Sequence, residues 1–324
     1  MRIQASYLSL DNDLFLQKIE QAKKALDHCC LCKQSCAINR NLGELGACGA
    51  GINAEVAHWG IHKGEEPPFA GKGGAGAIFF SHCNLKCVYC QNFQISWQKQ
   101  IKDSINPMQL GEIMLKLQMQ GAQNIDLVSP THFLPQIIEA IYLSRQQGLT
   151  LPIVYNTNAY ESEAALALLS GIVDVYMPDF KYFNDSAAFQ YSGIKNYVST
   201  AKQAIKTMYD AVGDFTRDFQ GRAYRGLFVR HLVLPENLAS SFKVLDFLKQ
   251  NIGVNIGLSI MSQYSPCYQA QRIDELNKKI DSVFYNKLVE YVEVLGFEQC
   301  WIQELKSSEI YFPDFQSSKV FVKE

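Results

Sequence analysis

The stretch Ser81-His82-Cys83-Asn84-Leu85-Lys86-Cys87-Val88-Tyr89-Cys90-Gln91-Asn92 places three cysteines in a C-x3-C-x2-C spacing. It directly follows a short apolar run, Ala77–Phe80, that reads as a strand. Three thiolates on one tight loop can hold three irons of a cubane cluster and leave the fourth iron without a protein ligand. Electron-transfer clusters normally use four cysteines. An open coordination position is what catalytic metal sites keep for a substrate. The plainer alternatives are structural zinc, with adjacent His82 as fourth ligand, or cysteines that merely pack. Zinc ligands usually come as separated pairs, so the spacing favours iron–sulfur.

Outward from this loop the pattern is regular. Apolar, β-branched runs at Ala77–Phe80, Ile125–Val128, Ile153–Tyr155, Ile172–Met177, Gly226–Leu234 and Val254–Ile260 alternate with helix candidates. One helix starts at Asn106-Pro107 and stops near Gly121. Others cover Pro135–Gln147, Ser162–Ser170, Tyr197–Val212 and Asn237–Gln250, and a last one runs from Asp274 to Leu295. Strand-then-helix repetition predicts an α/β fold with a parallel sheet. Six units fall short of eight, so a partial (β/α)6 TIM-like barrel is expected, with ligands at the C-terminal strand ends. A first helix spans Asp13–Leu26, with Asp13 as its cap, and His28–Gly76 reads as loops folded around something. Three segments follow: 1–72, an N-terminal helix and Cys-rich segment; 73–270, the core; and 271–324, a C-terminal helix and tail.

The chain has 324 residues, 30 Lys+Arg against 32 Asp+Glu, and is 48% apolar and 19% charged. That excludes a disordered chain and gives no reason to expect a nucleic-acid or membrane partner. The first ten residues, MRIQASYLSL, lack a secretion-signal layout, and no apolar run is long enough to span a bilayer. A cytoplasmic protein is expected. Ten cysteines at this length are too few for a disulfide scaffold, and their clustering points to metal or catalysis. Cys29, Cys32, Cys36 and Cys48 form a second group, with Cys30 an extra. They could lie on one helix face as packed thiols. Gly43, Gly46, Gly49 and Gly51 break any helix beyond them, so a zinc site or a four-cysteine cluster is expected, with a tilt to iron–sulfur.

The cysteine loop, with an aromatic before its last cysteine, resembles the radical S-adenosylmethionine (SAM) superfamily. Cys90-Gln91-Asn92, Cys29-Cys30-Leu31-Cys32, Gly64-Glu65-Glu66-Pro67-Pro68, Ile78-Phe79-Phe80-Ser81 and Arg230-His231-Leu232-Val233-Leu234-Pro235 together look like its pyruvate formate-lyase-activating-enzyme-like members. The resemblance covers about Cys29 to Tyr268. It implies a [4Fe-4S] cluster on Cys83, Cys87 and Cys90 and SAM chelating the open iron. Reductive cleavage of SAM would then give a 5′-deoxyadenosyl radical that abstracts hydrogen from a substrate. It also implies an electron donor such as flavodoxin or ferredoxin, and a glycyl-radical enzyme as substrate. The alternatives are another peptide or metabolite, or a zinc-binding structural protein without catalysis. By the same resemblance Tyr89 lies near the adenine, and Asp179, Lys181 and Arg230 lie at the SAM site.

Further strand-end candidates are Ser129, Thr131, Asn156, Asn158 and Gln263. Each could be an ordinary turn residue, but five strand ends converging on one rim point to a ligand site. Ser129-Pro130-Thr131-His132 departs from the Gly-Gly-Glu-like turn of activating enzymes, and Asn156-Thr157-Asn158-Ala159 from their Asp-Thr-Asn-Gly. Gln263 stands where a histidine would be expected. Gly71–Gly76 fits G-x-G-x-x-G by count but precedes a strand, so a dinucleotide site fails its context test.

Overall fold

The computed structural model describes residues 4–97, 103–305, 307, 312–317 and 319–321. Parts of the expected C-terminal tail (306, 308–311, 318 and 322–324) therefore lie outside the described residues. The strands are β1 (Ala54–His62), β2 (Ala75–Phe80), β3 (Asp103–Ile105), β4 (Ile125–Val128), β5 (Ile153–Thr157), β6 (Val175–Pro178), β7 (Thr216–Arg217), β8 (Ala223–Leu232), β9 (Gly257–Met261) and β10 (Cys300–Ile302). They form one sheet in the order β10-β9-β8-β6-β5-β4-β2-β1-β3, with β7 added on β8. β2, β4, β5, β6, β8, β9 and β10 run parallel, while β1 pairs antiparallel with β2 and β3.

The six expected strands thus form the central parallel run of a partial barrel. Its outer face packs helices through Ile78, Leu127, Tyr155, Tyr176, Val229 and Leu258. Its inner face splits by height. Val154, Val175, Met177 and Phe228 make an apolar plug with Phe69 and Phe215. Two residues further along β5 and β8, Asn156 and Arg230 project from the same face, because strand side chains alternate with period two. That switch from apolar to polar makes the C-terminal strand ends the site.

Several expectations change. β1 and the turn Pro67–Ala70 lie inside the stretch read as loops. A register shift between Val56 and His58 breaks the alternation that would have marked β1 as a strand. The segment after β1 enters the barrel, where Phe69 packs edge-on to Phe228 at 4.8 Å between ring centroids. β10, from the third segment, adds a seventh parallel strand. The first helix is Asn12–Lys24, and its cap is Asp11 rather than Asp13, accepting from the Asp13 and Leu14 amides. The last helix begins at Ser282, capped by Asp281, later than expected. Asn106 does cap Pro107–Met119 in a reciprocal box with Gln109. The glycine run at 71–76 serves close approach: a Cβ on Gly73 would stand 2.2 Å from the Gly121 carbonyl oxygen.

Candidate functional site

A cavity of about 490 Å³ opens at the C-terminal strand ends. Cys83, Cys87 and Cys90 line it, together with Tyr89, Ser129, Asn156, Asn158, Asp179, Lys181, Arg230 and Gln263. Of the candidates on this rim, Thr131 alone is not among the lining residues. It is buried, and its hydroxyl donates to Glu161 Oε1 at 2.7 Å. The turn after β4 directs Thr131 into the protein because Ser129 takes a left-handed φ of 56°. His132 turns the same way, with Nε2 2.7 Å from the Ser81 carbonyl.

Each thiol has a polar partner at its sulfur. Asn158 Nδ2 donates to Cys83 Sγ at 3.6 Å, Ser192 Oγ donates to Cys87 Sγ at 2.9 Å, and Ser96 Oγ stands 3.3 Å from Cys90 Sγ. The Leu85 amide adds a second donor to Cys83 at 3.4 Å. Burial pushes the Cys83 and Cys87 thiols up to about 11 and raises Cys90 as well. Thiols so buried ionise when a cation joins them, and donors already aimed at sulfur suit the thiolate form. His82, the neighbour that could complete a zinc site, turns to Glu55, 2.6 Å from Nε2. Among the described residues no three His, Cys, Asp or Glu groups are arranged to hold a single metal ion. The donor set fits a cluster, whose ligand sulfurs bind different irons.

On the facing wall Lys181 Nζ donates to Asp179 Oδ2 at 2.5 Å. Burial alone would lower the Lys181 ammonium, but Asp179 and then Cys87 outweigh it and raise it. Tyr89 begins a hydrogen-bonded chain: its hydroxyl is 2.5 Å from that of Tyr182, which is 2.7 Å from Ser192 Oγ, which in turn donates to Cys87. Gln263 is held by Gln303 Nε2, which donates to its Oε1 at 3.0 Å. Arg230 pairs with Glu65 and Glu66. His231, next to it, faces the other way between the Phe180 carbonyl and Ser241, and burial holds it down at about 4, neutral. Asn84, Ser96, Tyr182, Ser192, Glu65 and Glu66 were given no role from sequence. Only Asn84, inside the Ser81–Asn92 stretch, and the two glutamates, inside the Gly64–Pro68 motif, had a signal.

The second cysteine group also converges. Cys29, Cys32, Cys36 and Cys48 line one small enclosed void of about 20 Å³, with His132 and Arg40; Cys30 is not among its lining residues. No helix carries these cysteines, since the first helix ends at Lys24. The loop instead turns through left-handed Ser35 and Ala37. Buried Arg40 pins it, with Nε donating to the Gly51 carbonyl at 3.1 Å and Nη1 to the His132 carbonyl at 2.6 Å. Burial pushes Cys32 up to about 12, opposed in part by the Gln34 backbone. Gln34 Nε2 donates to the Asn84 carbonyl at 3.0 Å, Asn84 Oδ1 accepts from Asn158 Nδ2 at 2.6 Å, and Asn158 also reaches Cys83, so the two cysteine loops are joined. None of the ten cysteines forms a disulfide.

A family profile described as the radical SAM superfamily matches residues 77–219. The uncharacterized protein MJ0674 of Methanocaldococcus jannaschii is 30% identical over 286 residues, 85% of this chain and 77% of that protein. The chain belongs to the radical SAM superfamily. Its chemistry is therefore that of a [4Fe-4S] cluster and SAM. Solved structures that it resembles include Streptococcus suis SuiB bound to precursor peptide SuiA, at 12% identity and a TM-score of 0.47. That alignment covers 70% of this chain and 48% of SuiB. Another is the FeFe-hydrogenase maturase HydG from Carboxydothermus hydrogenoformans, at 13% identity and a TM-score of 0.48, covering 68% of this chain and 50% of HydG. This chain spans about half the length of each. Among the described residues no helix is long and apolar enough to cross a membrane.

Proposed function

We propose that the protein is a radical SAM enzyme that abstracts hydrogen from a substrate held in the 490 Å³ cavity. Cys83, Cys87 and Cys90 hold the catalytic cluster, and Tyr89, Ser129, Asn156, Asn158, Asp179, Lys181, Arg230 and Gln263 form the SAM-facing wall. The observation that carries this reading is the convergence of three thiols and five strand ends on one cavity. Bound cluster and SAM supply a one-electron cleavage of the sulfonium, giving methionine and a 5′-deoxyadenosyl radical. This chain's residues position and shield that chemistry. Lys181, charged and half-buried, suits the SAM carboxylate, and the plug below with Phe79 at the side keeps the cavity dry. The test is direct. Reconstituted, reduced protein should release 5′-deoxyadenosine, and Cys83→Ala should not.

The resemblance offers a glycyl-radical enzyme as substrate, with flavodoxin or ferredoxin as electron donor. One observation favours a small molecule instead. Trp301, Ile302 and Gln303, together with Ser307, Pro313 and Phe321, border the same cavity, and its volume suits a cofactor-sized ligand and one reacting group. Deuterium carried from labelled candidates into 5′-deoxyadenosine discriminates the two.

Cys29, Cys32, Cys36 and Cys48 are proposed to hold a second [4Fe-4S] cluster. Four cysteines gathered on one small void are the donor set of a four-cysteine cluster as much as of zinc, and their place beside a redox centre favours iron–sulfur. The Gln34–Asn84 contact between the two cysteine loops suits a relay of electrons between the two centres.

A further inference from the structure

The Cys87 sulfur is held differently from its two neighbours. The last turn of the helix Asp185–Ser192 grips the cysteine loop on both sides of Cys87. The Lys86 amide donates to the Ser192 carbonyl at 3.1 Å, and the Val88 amide to the Tyr191 carbonyl at 2.9 Å. Backbone alone makes that grip, and it leaves the Ser192 side chain to face the thiol, with Oγ 2.9 Å from Cys87 Sγ. Behind it stand the Tyr182 hydroxyl at 2.7 Å and, 2.5 Å further on, the Tyr89 hydroxyl. All three residues are buried. Each hydroxyl carries one proton, and that fixes the direction of the chain once Cys87 binds a cluster. A ligating thiolate only accepts, so the Ser192 proton points at sulfur. Tyr182 must then donate to Ser192, and Tyr89 to Tyr182. All three protons are aimed towards the cluster, and hydrogen bonds in such a chain polarise one another. By contrast, Asn158 divides its amide between Cys83 at 3.6 Å and Asn84 Oδ1 at 2.6 Å.

We propose that Ser192, Tyr182 and Tyr89 are positioning residues that set the reduction potential of the catalytic cluster through Cys87. This rests on the radical SAM reading above and adds control of its electron step. One-electron reduction adds negative charge to a cluster and its ligand sulfurs. Donors aimed at sulfur stabilise that state, so the chain raises the potential and eases reduction. Tyr89 also lines the cavity, so one residue borders both the ligand space and the chain that ends at Cys87.

The test is a mediated redox titration of the anaerobic, cluster-loaded protein, followed by electron paramagnetic resonance. The signal that changes on adding SAM identifies the cluster with the open iron. Iron content and 5′-deoxyadenosine release are read on the same samples, so a protein without radical chemistry is told apart from a chain without influence on the cluster. Ser192→Ala keeps the backbone grip on Lys86 and Val88, so iron content and melting temperature should hold. Its reduction equilibrium should become about tenfold less favourable, about 59 mV for a one-electron couple. Tyr182→Phe loses a single oxygen and should shift the equilibrium about threefold in the same direction, with Tyr89→Phe shifting it less. Added to Ser192→Ala, Tyr182→Phe should do nothing more, because its proton no longer reaches the sulfur. The inference is overturned if Ser192→Ala leaves the potential unchanged or raises it. It is also overturned if Tyr182→Phe shifts the potential equally with Ser192 and with Ser192→Ala.

Discussion

The two cysteine groups sit side by side and differ in one respect above all, access. Cys83, Cys87 and Cys90 open on a cavity of about 490 Å³ shared with five strand ends. Cys29, Cys32, Cys36 and Cys48 close around about 20 Å³, beside Gln34, Arg40, His132 and apolar neighbours. Three ligands with room beside them make a centre that can bind and change a substrate. Four ligands without room make a centre that can hold a fold or pass an electron. In the proposed reading the same residue type serves two chemistries, and the surrounding space separates them.

The largest test of that contrast is Cys87→Ala. SAM cleavage should fall on the order of a thousandfold or more, and iron by about four atoms per chain, because the cluster loses one of only three ligands. Iron analysis and 5′-deoxyadenosine yield read the two effects. A Cys29→Ala/Cys32→Ala variant should also lose about four irons, yet behave differently in turnover. With flavodoxin as reductant its rate should drop about tenfold or more, while with dithionite the loss should be small. Loss of zinc in place of iron would break the comparison by making the second centre purely structural.

Smaller effects sharpen it. Lys181→Met removes the cation of a half-buried pair with Asp179, so SAM affinity measured by equilibrium dialysis should weaken about ten- to a hundredfold. Cluster iron should stay, since Lys181 is not a ligand. Arg40→Met strips donors from the Gly51 and His132 carbonyls. It should cost about 2–3 kcal/mol, read as a lower melting temperature, with SAM affinity little changed. An equal loss of SAM affinity would show that the closed site shapes the open one.

Much of the parallel core was legible because its signals are local. Strands buried on both faces read as apolar runs, and caps such as Asn106 and stops such as Gly121 are set by short-range chemistry. β1 was not legible, because its register shift blurs the two-residue period and its pairing partners lie elsewhere in the chain. In the site, residues next to a motif were found and residues reaching in from afar were missed. Ser192 meets Cys87 from 105 positions away, and Glu66 meets Arg230 across 164. Thr131 shows the reverse error: it is in the right turn but faces the wrong way.

The chain alone determined the chemistry, because a three-thiolate loop needs only neighbours in sequence to be recognisable as a cluster site. Tertiary structure decided everything that depends on facing. It turned Thr131 and His231 away from the cavity, closed four cysteines around one void, and joined the two cysteine loops through Gln34 and Asn84. It also brought two carboxyl groups to one arginine. Side-chain direction and burial come from strand pairing over long separations, and no local spacing encodes them.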